Sequence, residues 1–304
     1  MKATHYRSGT RFSADQTYDA GDRCPVCLSQ ARRCAIYEIQ QDPLVVMLRC
    51  ADCEGCSASR MPKPEALDTY YGSFYSEADR HVTMGDPARF ARHVVGSMPD
   101  LTRRPALRVL DFGGGDGSLA LAIVQRVRKL ANRKIPASIE IVDYEPPAHV
   151  DTEAIRIVGR RTLSEISGAY DLILASAILE HIPDAYASIN RLLGAATAET
   201  FMYARTPYVL PFARMIRGLD VLYPAHVHDM GSAFWGKFVR TFQVEADLIR
   251  SAPSFVETTF SQAPLRTALA YLLKWPAHIE ILLGRSQVPR WKWVGGWEVV
   301  VRFR

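Results

Sequence analysis

The run Val109-Leu-Asp-Phe-Gly-Gly-Gly-Asp-Gly-Ser118 decides the fold, because three properties coincide in it. Arg108 to Asp111 reads as a short buried strand, Phe112 to Gly117 as a turn stripped of side chains, and Ser118 to Leu130 as a helix with apolar residues at helical spacing. A bare turn between a strand and a helix N-terminus lets a ligand lie against backbone. Charge says which ligand: carboxylates at Asp111 and Asp116 repel a pyrophosphate and suit a cationic group.

Working outward, strands are expected at 138–143, 154–158, 171–175 and 200–205, with a helix near 185–195. Strands alternating with helices predict a parallel sheet covered on both faces, with right-handed crossovers. On the amino-terminal side, helices are expected over 65–75 and from Asp86-Pro87, an N-cap and N1 pair, to about Ser97. Beyond Thr206-Pro207 the alternation breaks. The aromatic, His- and Gly-rich stretch from 207 to about 245, with helices near 210–219 and 232–242, is expected to cap the sheet's carboxyl edge. A strand near 255–260, a helical excursion over 264–283 and a final antiparallel strand from Trp297 to Phe303 complete the chain.

Asp143 closes the second strand in Ile141-Val-Asp-Tyr144, where a carboxylate can accept hydrogen bonds from both ribose hydroxyls of a nucleoside. The run 109–118, then Asp143, then Tyr170-Asp-Leu-Ile-Leu-Ala-Ser-Ala-Ile-Leu-Glu-His-Ile-Pro-Asp184 resembles the class I S-adenosylmethionine-dependent methyltransferases over about residues 86–206. The resemblance implies a doubly wound α/β fold with a mostly parallel, seven-stranded Rossmann-like sheet. It implies S-adenosyl-L-methionine as cofactor, held by Asp111, Phe112, Gly113, Gly115 and Asp116 around the methionine moiety, Asp143 and Tyr144 on the nucleoside, and Ser176 at the fourth strand's end. One departure stands out: Gly159-Arg-Arg-Thr-Leu163 offers no acid near the adenine.

Ser176 to His181 follows the fourth strand at the ligand edge. It carries Ser-Ala-Ile-Leu in place of the Asn/Asp-Pro-Pro-Tyr-like run of enzymes that methylate base amines. Glu180-His181 resembles the pair that orients substrate or takes a proton in many small-molecule methyltransferases, and a histidine suits that role near neutrality. His226-Val-His228 adds alternate histidines that point the same way if extended, so Glu180, His181, His226 and His228 form the candidate catalytic group, as bases or metal ligands. Tyr203, Arg205, Tyr208 and Trp235 are candidate pocket walls.

All six cysteines lie between Cys24 and Cys56. Cys24-Pro-Val-Cys27 and Cys50-Ala-Asp-Cys53, 22 residues apart, have the spacing of a four-thiolate structural zinc site, with Cys53-Glu-Gly-Cys56 as a rival second pair. The organisation expected is a loose tail (1–22), a zinc-ribbon-like module (23–62) and a methyltransferase domain (63–304). Such a module before this domain is similar to that of bacterial sugar C-methyltransferases and of a guanine-methylating ribosomal RNA enzyme.

Composition bounds the rest. With 304 residues, 48% of them hydrophobic, the chain buries a sizeable core and is not a disordered polymer. No apolar run reaches the ~18 residues of a membrane span, and a basic start without an apolar stretch behind it is no secretory signal, which points to a reducing cytoplasm. The net charge of +5 is too mild to demand a nucleic acid. The expected partner is therefore a small molecule, a hydroxyl of a sugar or other metabolite. The alternatives are RNA, with Arg103, Arg104, Arg160 and Arg161 on phosphates, and a non-catalytic zinc scaffold that only binds the cofactor.

Overall fold

A computed structural model describes residues 11–74, 85–152, 154–284 and 288–304. Residues 1–10 of the expected tail and Tyr75, the expected end of the first helix, lie outside the described residues.

The amino-terminal module is built around its cysteine turns. Strands β1 (Thr17–Asp19), β2 (Arg33–Gln40), β3 (Val45–Cys50), β4 (Cys56–Ala58) and β5 (Arg60–Pro62) precede helix α1 (Pro64–Phe74). β2, β3 and β4 pair antiparallel, while β1 pairs with β5. Leu28 donates its backbone NH to the Cys24 carbonyl at 2.8 Å, and Glu54 to that of Cys50 at 3.1 Å. Leu28 (φ 55°) and Glu54 (φ 62°) are both left-handed, so the two knuckles reverse alike without glycine, at about 1–2 kcal/mol each.

Next come α2 (Pro87–Gly96), β6 (Leu107–Phe112), α3 (Ser118–Ala131), β7 (Ala137–Val142), β8 (Val150–Asp151), β9 (Ile155–Arg160), β10 (Leu172–Ser176), α4 (Ala185–Leu193) and β11 (Phe201–Tyr208). The Asp86 side chain caps α2 by accepting from the Arg89 NH at 2.8 Å. The carboxyl-terminal part holds α5 (Leu210–Ala213), β12 (His228–Asp229), α6 (Ser232–Phe242), β13 (Ala246–Pro253), α7 (Pro264–Leu282) and β14 (Gly295–Phe303).

The main sheet runs β13-β14-β11-β10-β6-β7-β9-β8. It has eight strands, not seven, because the two-residue β8 folds back antiparallel on β9. β9, β7, β6, β10 and β11 are parallel, and β14 enters antiparallel between β11 and β13. The parallel strands read as near-continuous apolar runs because both faces are covered. Leu107, Val109, Leu172 and Leu174 pack with Phe90 and Val94 of α2 and Ile123 of α3 on one face, and Leu110, Ile173 and Met202 pack with Ile189 and Leu192 of α4 on the other. Chain order reverses at β6: later strands go outward through β7 on one side and β10 on the other, a topological switch point whose carboxyl end is the glycine turn.

Three further expectations change: the helix placed near 210–219 is only the four-residue α5, and two segments differ in role. The strand placed at 255–260 lies at β13, since Val256, Thr258 and Thr259 have β-forming side chains but no ladder partner, whereas residues 246–253 find one in β14. The stretch from 207 to 245 is more than a cap: β12 pairs with β4 through His228↔Ser57 and Asp229↔Cys56, and α6 packs on β13 and on the cysteine turns through Phe234. It joins the module to the larger sheet.

Candidate functional site

The glycine turn leaves β6 beside β7 and β10. Gly113, Gly115 and Gly117 have φ of +72°, +54° and +75°, a conformation that other residues rarely adopt. Gly114 answers to space instead: a Cβ there would stand 2.5–2.6 Å from the Asp111 carboxyl group. Asp111 is 2% exposed, its Oδ2 has no partner among the described residues, and burial, reinforced by Asp143 and Asp116, pushes its carboxyl up to about 7. Asp143 accepts a hydrogen bond from the Gly115 NH at 2.8 Å, and Asp116 one from the Ser118 NH at 3.0 Å. Phe112 points into the core, so only its backbone faces the turn, while Tyr144 is exposed.

The turn touches the loop after β10. β6 and β10 are in register at Asp111↔Leu174 and Phe112↔Ala175, and a Cβ on Gly113 would lie 2.6 Å from Cβ of Ile178. At the same edge the Ser176 hydroxyl is buried without a partner among the described residues, and Ala177 is left-handed (φ 58°). Strain of this kind clusters at functional sites.

Glu180 and His181 follow. Glu180 is 1% exposed, its Oε2 has no partner among the described residues, and burial pushes its carboxyl up to about 8. Its Oε1 lies 3.7 Å from His181 Nε2. The other imidazole nitrogen, Nδ1, is 3.1 Å from the Tyr71 hydroxyl on α1, and burial pulls His181 down to about 4. His226 stands edge-on to His181, ring centroids 4.7 Å apart; burial first, then His181, hold it well below its ordinary range.

The two later histidines part company. His226 precedes the two-residue β12, so no extended run aligns it with His228. His228 engages Ser57 Oγ at 2.8 Å with Nδ1 and the Ile182 carbonyl at 2.9 Å with Nε2, which leaves no ring nitrogen for a substrate. It serves instead to join β4, β12 and the loop after His181. Asp229 caps α5, its Oδ2 accepting from the NH groups of Val209 and Leu210 at 2.8 and 2.9 Å.

The expected pocket walls divide likewise. Tyr203 donates to the wholly buried Glu298, Trp235 donates to Thr206 Oγ1, and Tyr208 is nearly buried, so these three are core. Arg205, at the end of β11, pairs with Glu257, lies over the Phe90 ring, and its charge favours ionised Glu180. Tyr71 was not singled out by sequence; an aromatic cluster in a helix reads equally well as core.

The cysteine turns converge. Cys24 Sγ lies 3.8 Å from Cys53 Sγ, and Cys27 Sγ 3.8 Å from Cys50 Sγ, with all four sulfurs within 4.8 Å of one another. Zn–S bonds of about 2.3 Å make a tetrahedron with edges of about 3.8 Å, so the quartet fits zinc. Hydrogen bonding within the cluster pulls Cys24 down while it holds Cys27 and Cys53 up, as expected of thiols that cannot all ionise without a cation. Cys56, the rival ligand, sits on β4 in a separate apolar cluster with Val45, Met47 and Tyr223.

In fold the chain is similar to solved methyltransferases. The plantazolicin methyltransferase BamL, in complex with a triazolic desmethylPZN analogue and SAH, is 13% identical, with 79% of this chain and 91% of that one covered and a TM-score of 0.41. Magnesium protoporphyrin IX methyltransferase (ChlM) from Synechocystis PCC 6803, with SAH bound, is 13% identical over 79% and 95%, with a TM-score of 0.43. The [4+2]-cyclase SpnF is 12% identical over 71% and 80%, also at 0.43. No protein-family model and no curated protein matches the sequence. No helix among the described residues is long and apolar enough to cross a membrane.

Proposed function

We propose that the chain is an S-adenosylmethionine-dependent methyltransferase acting on a small molecule, at a hydroxyl of a sugar or other metabolite. The observation that carries this reading is the acid-lined turn at the switch point. Asp111, without a partner among the described residues for one oxygen, and Asp143, bonded to the Gly115 NH, stand at a glycine turn against which Ile178 packs at Gly113 and Ile141 at Gly117. A cationic amino acid joined to a nucleoside complements those charges, and a pyrophosphate does not.

In this reading Asp111, Gly113, Gly115 and Asp116 surround the methionine portion, with the Phe112 backbone among them. Asp143 accepts from the ribose beside Tyr144, and Ser176 turns its hydroxyl to the site. Bound there, the cofactor supplies a sulfonium-activated methyl group. The protein's part is to align the acceptor, keep water out and take one proton. His181 is the candidate for the proton transfer by position: its Nδ1 is 3.1 Å from the Tyr71 hydroxyl, and burial, which pulls it down to about 4, keeps it neutral at pH 7 while making it a weaker base than a free imidazole. Glu180, 3.7 Å from Nε2, favours the imidazolium once it ionises. His226 borders the same space, and His228 is left out of the catalytic group.

A structural zinc ion held by Cys24, Cys27, Cys50 and Cys53 belongs to this reading. A second reading has its own observation: ligand atoms of Glu180, His181 and His226 lie within 4.8 Å of one another, close enough to gather around a divalent ion with a small shift of the side chains. Of the four arginines considered for RNA, three are already in ion pairs, Arg103 with Asp100, Arg104 with Asp171 and Arg160 with Glu140. The test is transfer of labelled methyl from S-adenosylmethionine to a panel of sugar nucleotides and hydroxylated metabolites, with and without a chelator. Transfer to a hydroxyl that survives removal of loosely held metal supports the proposal. Tight cofactor binding with no transfer to any acceptor favours the non-catalytic scaffold.

A further inference from the structure

Half of the large apolar side chains that the described residues expose, nine of eighteen, fall between Phe260 and Leu283. They belong to α7 and its ends. Leu265 is 86% exposed, Leu272 69% and Trp275 62%. The opposite side of the helix is anchored: Lys274 Nζ donates to the Ser254 hydroxyl at 3.0 Å, Trp291 Nε1 donates to the Leu273 carbonyl at 2.7 Å, and Thr267 and Ala277 are buried. A helix apolar on its outer face as well as its inner one is a helix with a partner.

The spacing identifies the partner as another helix. Leu265, Leu269, Leu272, Pro276, Ile279 and Leu283 follow one another at intervals of 4, 3, 4, 3 and 4, the a/d pattern of a coiled-coil seam, along about 28 Å. We propose that α7 pairs antiparallel with α7 of a second copy of this chain, giving a two-fold symmetric dimer. With the axis near Lys274, Leu265 faces Leu283 of the second copy, Leu269 faces Ile279, and Leu272 faces Pro276. The same register brings Arg266 beside the second copy's Glu280, one position outside the seam, so opposite charges meet twice. Glu280 already accepts from the backbone NH groups of Arg290 and Trp291 at 2.7 and 3.2 Å; these hold the carboxylate in place and leave lone pairs for a guanidinium.

Area agrees. The five exposed side chains on the seam, Leu265, Leu269, Leu272, Ile279 and Leu283, each offering roughly 100 Å² as exposed, give about 500 Å² per copy and about 1,000 Å² for the pair, at the ~1,000 Å² of a specific interface. A membrane surface, the other occupant of such a stripe, prefers a Lys/Arg-rich border, whereas Arg266 and Glu280 border this one with opposite signs.

Sedimentation velocity on the full chain tests the proposal. At 10 µM the wild type is expected at twice the mass of one chain, and Leu269→Glu/Leu272→Glu as a monomer with an unchanged far-UV circular dichroism spectrum. Arg266→Glu keeps the stripe and sets like charges together, and is expected to raise the dimer Kd about tenfold at low salt. A wild type monomeric at 100 µM overturns the proposal, as does a dimer indifferent to all these changes. A monomer that floats with phosphatidylglycerol vesicles also overturns it, and assigns the stripe to a lipid surface.

Discussion

Replacing Glu180 with glutamine should change how stability depends on pH. The carboxyl has an ordinary value of 4.5 and is pushed up to about 8 by burial, so the folded protein holds a proton that the unfolded chain releases between those values. For a group raised in this way, stability is fully present below 4.5 and is lost as pH rises toward about 8. At 1.36 kcal/mol per pH unit the whole span is worth about 5 kcal/mol, of which about 3–4 kcal/mol falls between pH 5 and pH 8. Glu180→Gln has no proton to lose, so this loss disappears. Asp111, pushed up to about 7 by burial, is common to the two proteins and cancels in the difference; Asp229, also pushed up to about 7 by burial, is common to both but adds a smaller repulsion to ionised Glu180 that the variant lacks. Urea titrations of both proteins at pH 5 and pH 8 are expected to show the variant gaining about 3 kcal/mol on the wild type over that interval. Parallel curves would refute the reasoning: they would mean the carboxylate stays ionised in the fold, as a divalent ion shared with His181 and His226 would keep it.

Asp143→Ala should weaken binding of S-adenosylhomocysteine by about 10- to 100-fold in calorimetry, the effect of roughly 1.5–3 kcal/mol of hydrogen bonds to a charged group, with little change in melting temperature. Cys24→Ser should release about one zinc per chain by elemental analysis and lower thermal stability, because the cysteine turns pack against Phe234 and Trp235. His181→Gln should reduce turnover about 100-fold or more while leaving cofactor affinity within about twofold in equilibrium binding. Glu298→Gln should cost about 3 kcal/mol in urea unfolding at pH 7. This wholly buried carboxylate accepts from Tyr203 and the Phe255 NH and contacts His93 and Arg250; although burial opposes ionisation, His93 and Arg250 hold it at about 2.

What the sequence made legible is what short-range chemistry specifies. The strand, bare turn and helix from Leu107 to Ala131 follow from apolar spacing and glycines that the backbone cannot do without, and the four sulfurs converge from two C-x2-C turns. Long-range pairing was hidden. β12 finds β4 across more than 160 residues, and only that pairing explains why His228 bonds Ser57 instead of facing a substrate. β13 carries little alternation because it is an edge strand completed by β14. Tyr71 reaches His181 from a helix whose aromatics gave no direction. The eighth strand, two residues long, is below any periodicity.

Isothermal titration of the full chain with S-adenosylhomocysteine, alongside NADH and ATP under the same conditions, asks whether the acidic turn takes a cationic nucleoside or a phosphate. One site per chain for S-adenosylhomocysteine, and none for either phosphate-bearing nucleotide, is the predicted result. Heat from NADH or ATP with none from S-adenosylhomocysteine would contradict it.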